Sequence, residues 1–211
     1  MSIRLVKAVR IDSSGERLVQ PSAPLDLSMR LAALDSPDAV ERRRAVRDLA
    51  AEPDAVPALC ARLIEERNLS VRTALFTTLI RLRSPAVVAG LLPLLRLDDA
   101  NLRNEAIDAL QDMPEEVGPF VETLLGDHDS DVRILAIQLL STLAHPDAPR
   151  WLVGVVDTDS HVNVCAAATD CLAEVGGPEA IGPLRRLARR FAEEPFVAFA
   201  VDMAIRRIEG R

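Results

Sequence analysis

Six segments of this chain share one skeleton, and the spacing between them constrains the fold more than any single residue does. In each, an apolar residue is followed by Arg, then by a small or apolar residue at plus four and an apolar residue at plus eight. Residues 71–79 (VRTALFTTL), 102–110 (LRNEAIDAL) and 132–140 (VRILAIQLL) fit fully. Residues 41–49 (ERRRAVRDL) carry Glu41 in the apolar slot, residues 164–172 (VCAAATDCL) carry Cys165 in the Arg slot, and residues 196–204 (FVAFAVDMA) form a degenerate sixth copy. The plus-eight residues are 49, 79, 110, 140, 172 and 204, giving steps of 30, 31, 30, 32 and 32. A period of this size denotes a repeat architecture, in which each unit buries its apolar face only against its neighbours.

Each copy is followed by a proline, at Pro53, Pro85, Pro114, Pro146 and Pro178, with an acid next to it in four of the five cases (Asp54, Glu115, Asp147, Glu179). Proline at a first helical position beside a carboxylate at the positive end of the helix dipole starts a helix. Apolar residues then recur at helical spacing, as in Val117, Phe120 and Leu124. The unit is therefore helix A, a short turn and helix B. With five Phe, one Trp and no Tyr in 211 residues, strand formers are scarce. The expected fold is all-α, an α-solenoid of about five and a half stacked antiparallel helix pairs over residues 25–211. Residues 25–34 read as a lone helix B ahead of the first pair. Residues 1–24 form a separate arm, in which two β-prone runs around DSSG predict a short hairpin. That hairpin would cap the first repeat or reach a second subunit; capping is the commoner need.

The pattern D-x-x-V-R-x-x-A opening helix A (Asp129 to Ala136) and P-E-A-I opening helix B (Pro178 to Ile181) resembles the short HEAT-like repeats of the phycobilisome-lyase type, over about residues 25–211. The resemblance implies a superhelix whose B helices line a concave groove. It also implies a non-catalytic protein-binding scaffold or adaptor, with a bilin or tetrapyrrole lyase as the alternative. HEAT-like hydroxylases mark their iron ligands with His-Glu pairs, and this chain has no His-Glu dipeptide. The three histidines, His128, His145 and His161, are scattered over separate turns.

The formal net charge of −7 opposes nucleic-acid binding, which needs phosphate-neutralising cations. Lys7 is the only lysine, a bias that fits a GC-rich bacterial genome. Cys60, Cys165 and Cys171 are odd in number and lack C-x-x-C spacing, so they read as buried inert thiols. No serine or cysteine lies in a Gly-rich elbow and no Gly-rich loop exists to hold a phosphate. The expectation is no catalytic residue, no cofactor and no metal. No signal peptide or membrane span is expected, so the chain reads as cytoplasmic. Monomer and homodimer both stay open.

Two groups of residues invite a role. The first is a ladder of Asp38, Arg42, Asn68, Arg72, Asp99, Arg103, Asp129 and Arg133, in which the Asp or Asn caps helix A. In stacked HEAT units the same residue resembles the one that bonds the Arg of an adjacent repeat, which makes the ladder structural. The second is the groove expected along the B helices. Seven residues beyond each starting proline stand Cys60, Leu92, Val121, Val153 and Arg185; at plus five, Trp151 stands alone in a column of small residues. A helix or extended segment of another protein would be held by Leu92, Val121, Trp151 and Val153, with its acidic groups met by Arg150, Arg185, Arg186 and Arg189. Trp151 would be an anchor, since Trp often dominates interface energetics, or the filler of a gap between units.

Overall fold

A computed structural model describes residues 26–143 and 145–210. The hairpin expected within residues 1–24 lies outside the described residues. Within them there are twelve α-helices and no strand. The helices are α1 (Leu27–Ala32), α2 (Ala39–Asp48), α3 (Val56–Glu65), α4 (Leu69–Leu82), α5 (Pro85–Leu91) and α6 (Ala100–Gln111). They continue with α7 (Pro114–Leu125), α8 (Ser130–Thr142), α9 (Ala148–Thr158), α10 (Val162–Val175), α11 (Ile181–Arg190) and α12 (Pro195–Glu209). Even-numbered helices are the A helices and odd-numbered ones the B helices, with α1 the lone leading B and α12 a closing A. Each A helix packs on the next A helix, and among the B helices α3 packs on α5, α5 on α7 and α9 on α11, so two layers stack along the array.

The template positions form the seam between those layers. Leu49, Leu79, Leu110, Leu140 and Leu172 are wholly buried, and so, at plus four, are Ala45, Leu75, Ala106, Ala136 and Ala168. Ala at four of these five plus-four positions lets neighbouring A helices approach closely, while the leucines fill the space behind them. Among the described residues, fifty apolar side chains make one continuous buried cluster from Leu34 to Ile208.

Helix starts follow the local chemistry. Asp38, Asn68, Asp99 and Asp129 each accept a backbone N–H of their own helix, to Val40, to Ser70 and Val71, to Asn101 and Leu102, and to Asp131. Pro85 and Pro114 open α5 and α7 directly, whereas Pro53 and Pro178 begin a single 3-10 turn that leads into α3 and α11. Pro93 lacks the N–H needed for an α-helical bond, and α5 passes into a 3-10 turn over Leu92–Arg96.

The sixth copy departs from the expected register. In α12 the buried residues are Val197, Val201, Ala204 and Ile208, while Phe196 is exposed, so the stripe begins one residue later than the sequence template places it.

Close approach between α3 and α5 fixes one glycine. A Cβ on Gly90 would stand 2.5 Å from Cys60 Sγ, and Cys60 is buried. Gly90→Ala is expected to destabilise the fold by about 1–2 kcal/mol through overpacking. Urea denaturation of Gly90→Ala and of Gly90→Ala with Cys60→Ala checks this, with the double variant recovering most of the loss.

Candidate functional site

The arginine ladder runs along the turns that join one unit to the next. Arg42 donates from Nε and Nη2 to both carboxylate oxygens of Glu66, each at 2.8 Å, and from Nη1 to the carbonyls of Ser36 and Pro37. Arg62 Nε adds a contact to Glu66 at 3.2 Å, and the Asn68 N–H donates to it at 2.8 Å. Glu66 is only 2% exposed. The Arg42 guanidinium, bonded side chain to side chain, pulls its carboxyl down to about 2. Arg133 repeats the arrangement three units on, with Nε at 2.7 Å and Nη2 at 3.2 Å from Asp159 and Nη1 on the Asp127 carbonyl.

None of the four arginines bonds the capping Asp or Asn of the adjacent repeat, because the caps spend their oxygens on their own helix. For Arg42 and Arg133 the partner is the acid two residues before the next cap. That column reads Ser36, Glu66, Leu97, Asp127 and Asp159. Where Leu97 interrupts it, Arg72 turns to Glu105 on α6 instead. Asp127 is taken by Arg96, and Arg103 bonds the Leu97 carbonyl.

At Cys165 the fold replaces the missing guanidinium. The thiol donates to the Asp159 carbonyl at 3.2 Å, and Arg190 reaches in from α11. Arg190 donates to Cys165 Sγ at 3.2 Å and to the carbonyls of Asp157 at 2.6 Å and Asp159 at 2.8 Å. Arg186 makes a bidentate pair with Asp157 of α9. Within the basic run of α11, Arg186 and Arg190 are thus straps between α11 and α9, and Arg185 and Arg189 project outward. All three cysteines are free and buried; burial pushes the thiol of Cys60 up to about 11 and that of Cys171 to about 12. Among the described residues no group of three His, Cys, Asp or Glu has the arrangement to hold a metal ion, and no helix is long and apolar enough to cross a membrane.

The two faces of the array differ chemically. On the A helices the exposed positions are mostly polar: Arg44, Arg47 and Asp48 on α2, Ser70, Thr73 and Thr77 on α4, Asn101, Asn104 and Asp108 on α6, and Asp131, Gln138 and Ser141 on α8. On the B helices the exposed residues include Pro57 and Ala61 on α3, Ala86 and Ala89 on α5 with Pro93 beyond it, Pro119 on α7, Gly154 on α9 and Gly182 on α11. Between these small residues lie half-buried apolar ones packed on the core, among them Leu92, Phe120, Leu125, Val153 and Ile181. Charge on the B face is sparse until Glu122, Arg150, Arg185 and Arg189. A surface of Pro, Ala and Gly over apolar side chains carries little side-chain entropy and lets another backbone come close.

The structure distributes the residues expected in the groove over different depths. Leu92 and Val153 are half-buried on the B face, and Arg150 and Arg185 are exposed there. Val121 is wholly buried and belongs to the core, out of reach of a partner. Trp151 is 8% exposed. Its ring centroid lies 4.5 Å from that of His145, its Nε1 donates to Glu122 at 3.3 Å, and the Arg150 guanidinium sits 5.8 Å from its ring. Gly118 on α7 leaves room for the imidazole, since a Cβ there would meet His145 Nε2 at 3.0 Å. The backbones of α7 and α9 lie less closely together than those of α3 and α5, and Trp151 fills the space between them. Beside it runs a depression of about 320 Å³ lined by Glu122, Leu125, Arg150, Trp151, Gly154 and Thr158 among others. The column of small exposed residues was visible in the sequence only as composition; what singles it out is exposure, which spacing alone does not give.

A family model for HEAT repeats matches residues 27–111 and 117–204. No curated protein sequence matches the chain. Among solved structures, an engineered protein is 20% identical, with 88% of this chain and 99% of that one covered and a TM-score of 0.40. A designed armadillo repeat protein is 17% identical over 87% of this chain and all (100%) of its own, with a TM-score of 0.37. The complex of CpcE and CpcF of phycocyanin lyase from Nostoc sp. PCC7120 is 19% identical over 90% of this chain and 97% of that one, with a TM-score of 0.36.

Proposed function

The chain belongs to the HEAT-repeat family, and on that premise we propose that it is a non-catalytic protein-binding scaffold whose B face holds a helix or extended segment of another protein. The observation that carries this reading is the contrast between the faces: polar A helices, and B helices that expose Pro57, Ala61, Ala89, Pro93 and Gly154 over half-buried Leu92 and Val153. An uncharged, low-relief strip between charged surroundings favours apolar contact along its length. Arg150, Arg185 and Arg189 at one end supply cations for acidic groups of the bound segment. The core is continuous and the turns are strapped by buried ion pairs, so the surface is formed before the partner arrives and little ordering entropy is lost on binding.

Bulky charge placed on the strip tests the proposal without disturbing the core. Ala89→Arg and Gly154→Arg are expected to lower capture of the native partner at least tenfold in affinity purification, while Thr77→Arg on the A face leaves it unchanged. Equal effects on both faces would contradict the assignment. A shift of tetrapyrrole absorbance on mixing the protein with a bilin would replace scaffolding with chromophore handling.

A further inference from the structure

The closing helix breaks the rule that A helices expose polar residues. On α12, Phe196, Phe199 and Met203 are 45%, 69% and 51% exposed. Their spacing of three and four residues sets them on one side of the helix, opposite the buried stripe of Val197, Val201, Ala204 and Ile208. No other A helix shows three large apolar side chains in a row. Charge around this stripe is polar along the helix axis. Glu193 and Glu194 precede the helix, and Arg206 and Arg207 occupy its last turn, where the one acid, Glu209, is paired with Arg185 of α11. Both arginines are exposed and paired only with exposed acids, Arg206 with Asp202 and Arg207 with Glu174.

We propose that α12 is the interface through which two copies of this chain associate, the two α12 helices packing antiparallel about a two-fold axis. The charge arrangement selects this occupant. An antiparallel pair centred between Phe199 and Ala200 sets Phe196 against Met203 of the second copy and Glu193 against its Arg206. The exposed apolar residues then meet apolar ones, Phe196 with Met203 and Phe199 with Ala200, and each acidic end meets the arginines of the other copy. The same surface is thus complementary to itself, as a two-fold contact requires, and the opposed helix dipoles add to it. Parallel pairing sets acid on acid and Arg on Arg. Association through α12 leaves the B face open, so the dimer would present two recognition strips.

Sedimentation equilibrium of the full chain tests this. The wild-type protein is expected to reach twice the chain mass as concentration rises through the micromolar range. Phe199→Asp, at an exposed site that leaves the core intact, is expected to stay at the mass of one chain with unchanged far-UV circular dichroism and thermal midpoint. Glu193→Arg alone should raise the dissociation constant at least tenfold, and Glu193→Arg with Arg206→Glu should restore it, because the exchanged charges again face each other. A wild-type protein that stays single at every concentration, a Phe199→Asp variant that still dimerises, or a double variant with no recovery would each overturn the proposal.

Discussion

Glu66→Gln is expected to cost the protein about 3 kcal/mol of stability, because it leaves the Arg42 guanidinium in a nearly closed site without its counter-charge. The guanidinium side chain is 12% exposed and the carboxylate side chain 1%, so water replaces little of what is lost. Removing both charges is a different matter: Glu66→Gln with Arg42→Met takes away the unpaired ion and is expected to recover more than half of the loss. The same pair predicts a pH dependence. The Glu66 carboxyl titrates at about 2 in the fold against 4.5 ordinarily. A group with a lowered folded value contributes stability that is complete above its unfolded value and disappears as pH falls through the folded one. Between about pH 4.5 and pH 2 the wild type should therefore lose about 3 kcal/mol that Glu66→Gln has already lost. Urea denaturation midpoints measured across that range should converge for the two proteins at the acid end; parallel curves would show that Glu66 is not the titrating group.

Trp151→Ala is expected to have an effect of similar size, about 3–5 kcal/mol, for a different reason. The side chain is buried against His145 and bonded to Glu122, between α7 and α9, whose backbones lie less closely together than those of α3 and α5. Truncation opens a cavity between two units and breaks the only link that this ring provides across the gap. In a stacked array such a lesion weakens the coupling between its two sides, so unfolding should lose cooperativity as well as stability, seen as a lowered urea midpoint and a shallower transition. At low temperature and without denaturant, the folded variant should keep its affinity for the partner within a factor of about three. A fully stable Trp151→Ala protein that no longer captures its partner would make the ring an anchor.

Much of this molecule was readable from spacing alone. The plus-eight leucines, the starting prolines and the Asp and Asn caps are all local signals, and Leu49, Leu79, Leu110, Leu140 and Leu172 are indeed at the centre of the core. The ladder was only half readable. Arg42 announces itself, but its partner is 24 residues away in a turn, and nothing in the local pattern distinguishes Glu66 from its exposed neighbour Glu65. The B-face columns failed as counted positions because depth depends on the neighbouring units as well as on the offset from proline. That offset lands Cys60 and Val121 in the core, Leu92 and Val153 half-way out, and Arg185 in solvent. Cys60 and Arg185 follow the same 3-10 start, but Cys60 packs under α5 whereas Arg185 stands on the last B helix, with no further B helix beside it among the described residues. In α12 a single-residue shift put Phe196 outside and Val197 inside, a difference that an apolar pair in sequence does not reveal.

The assignment of recognition to the B face is tested most directly by site-specific photo-cross-linking, with a benzophenone side chain placed at Ala89 or Gly154 on that face and at Thr77 or Asn104 on the other. Irradiation in the native cell should give one discrete adduct of the same partner from both B-face positions and none from the A-face positions. Adducts formed from Thr77 and Asn104 but not from Ala89 and Gly154 would place recognition on the opposite side of the array and contradict the account.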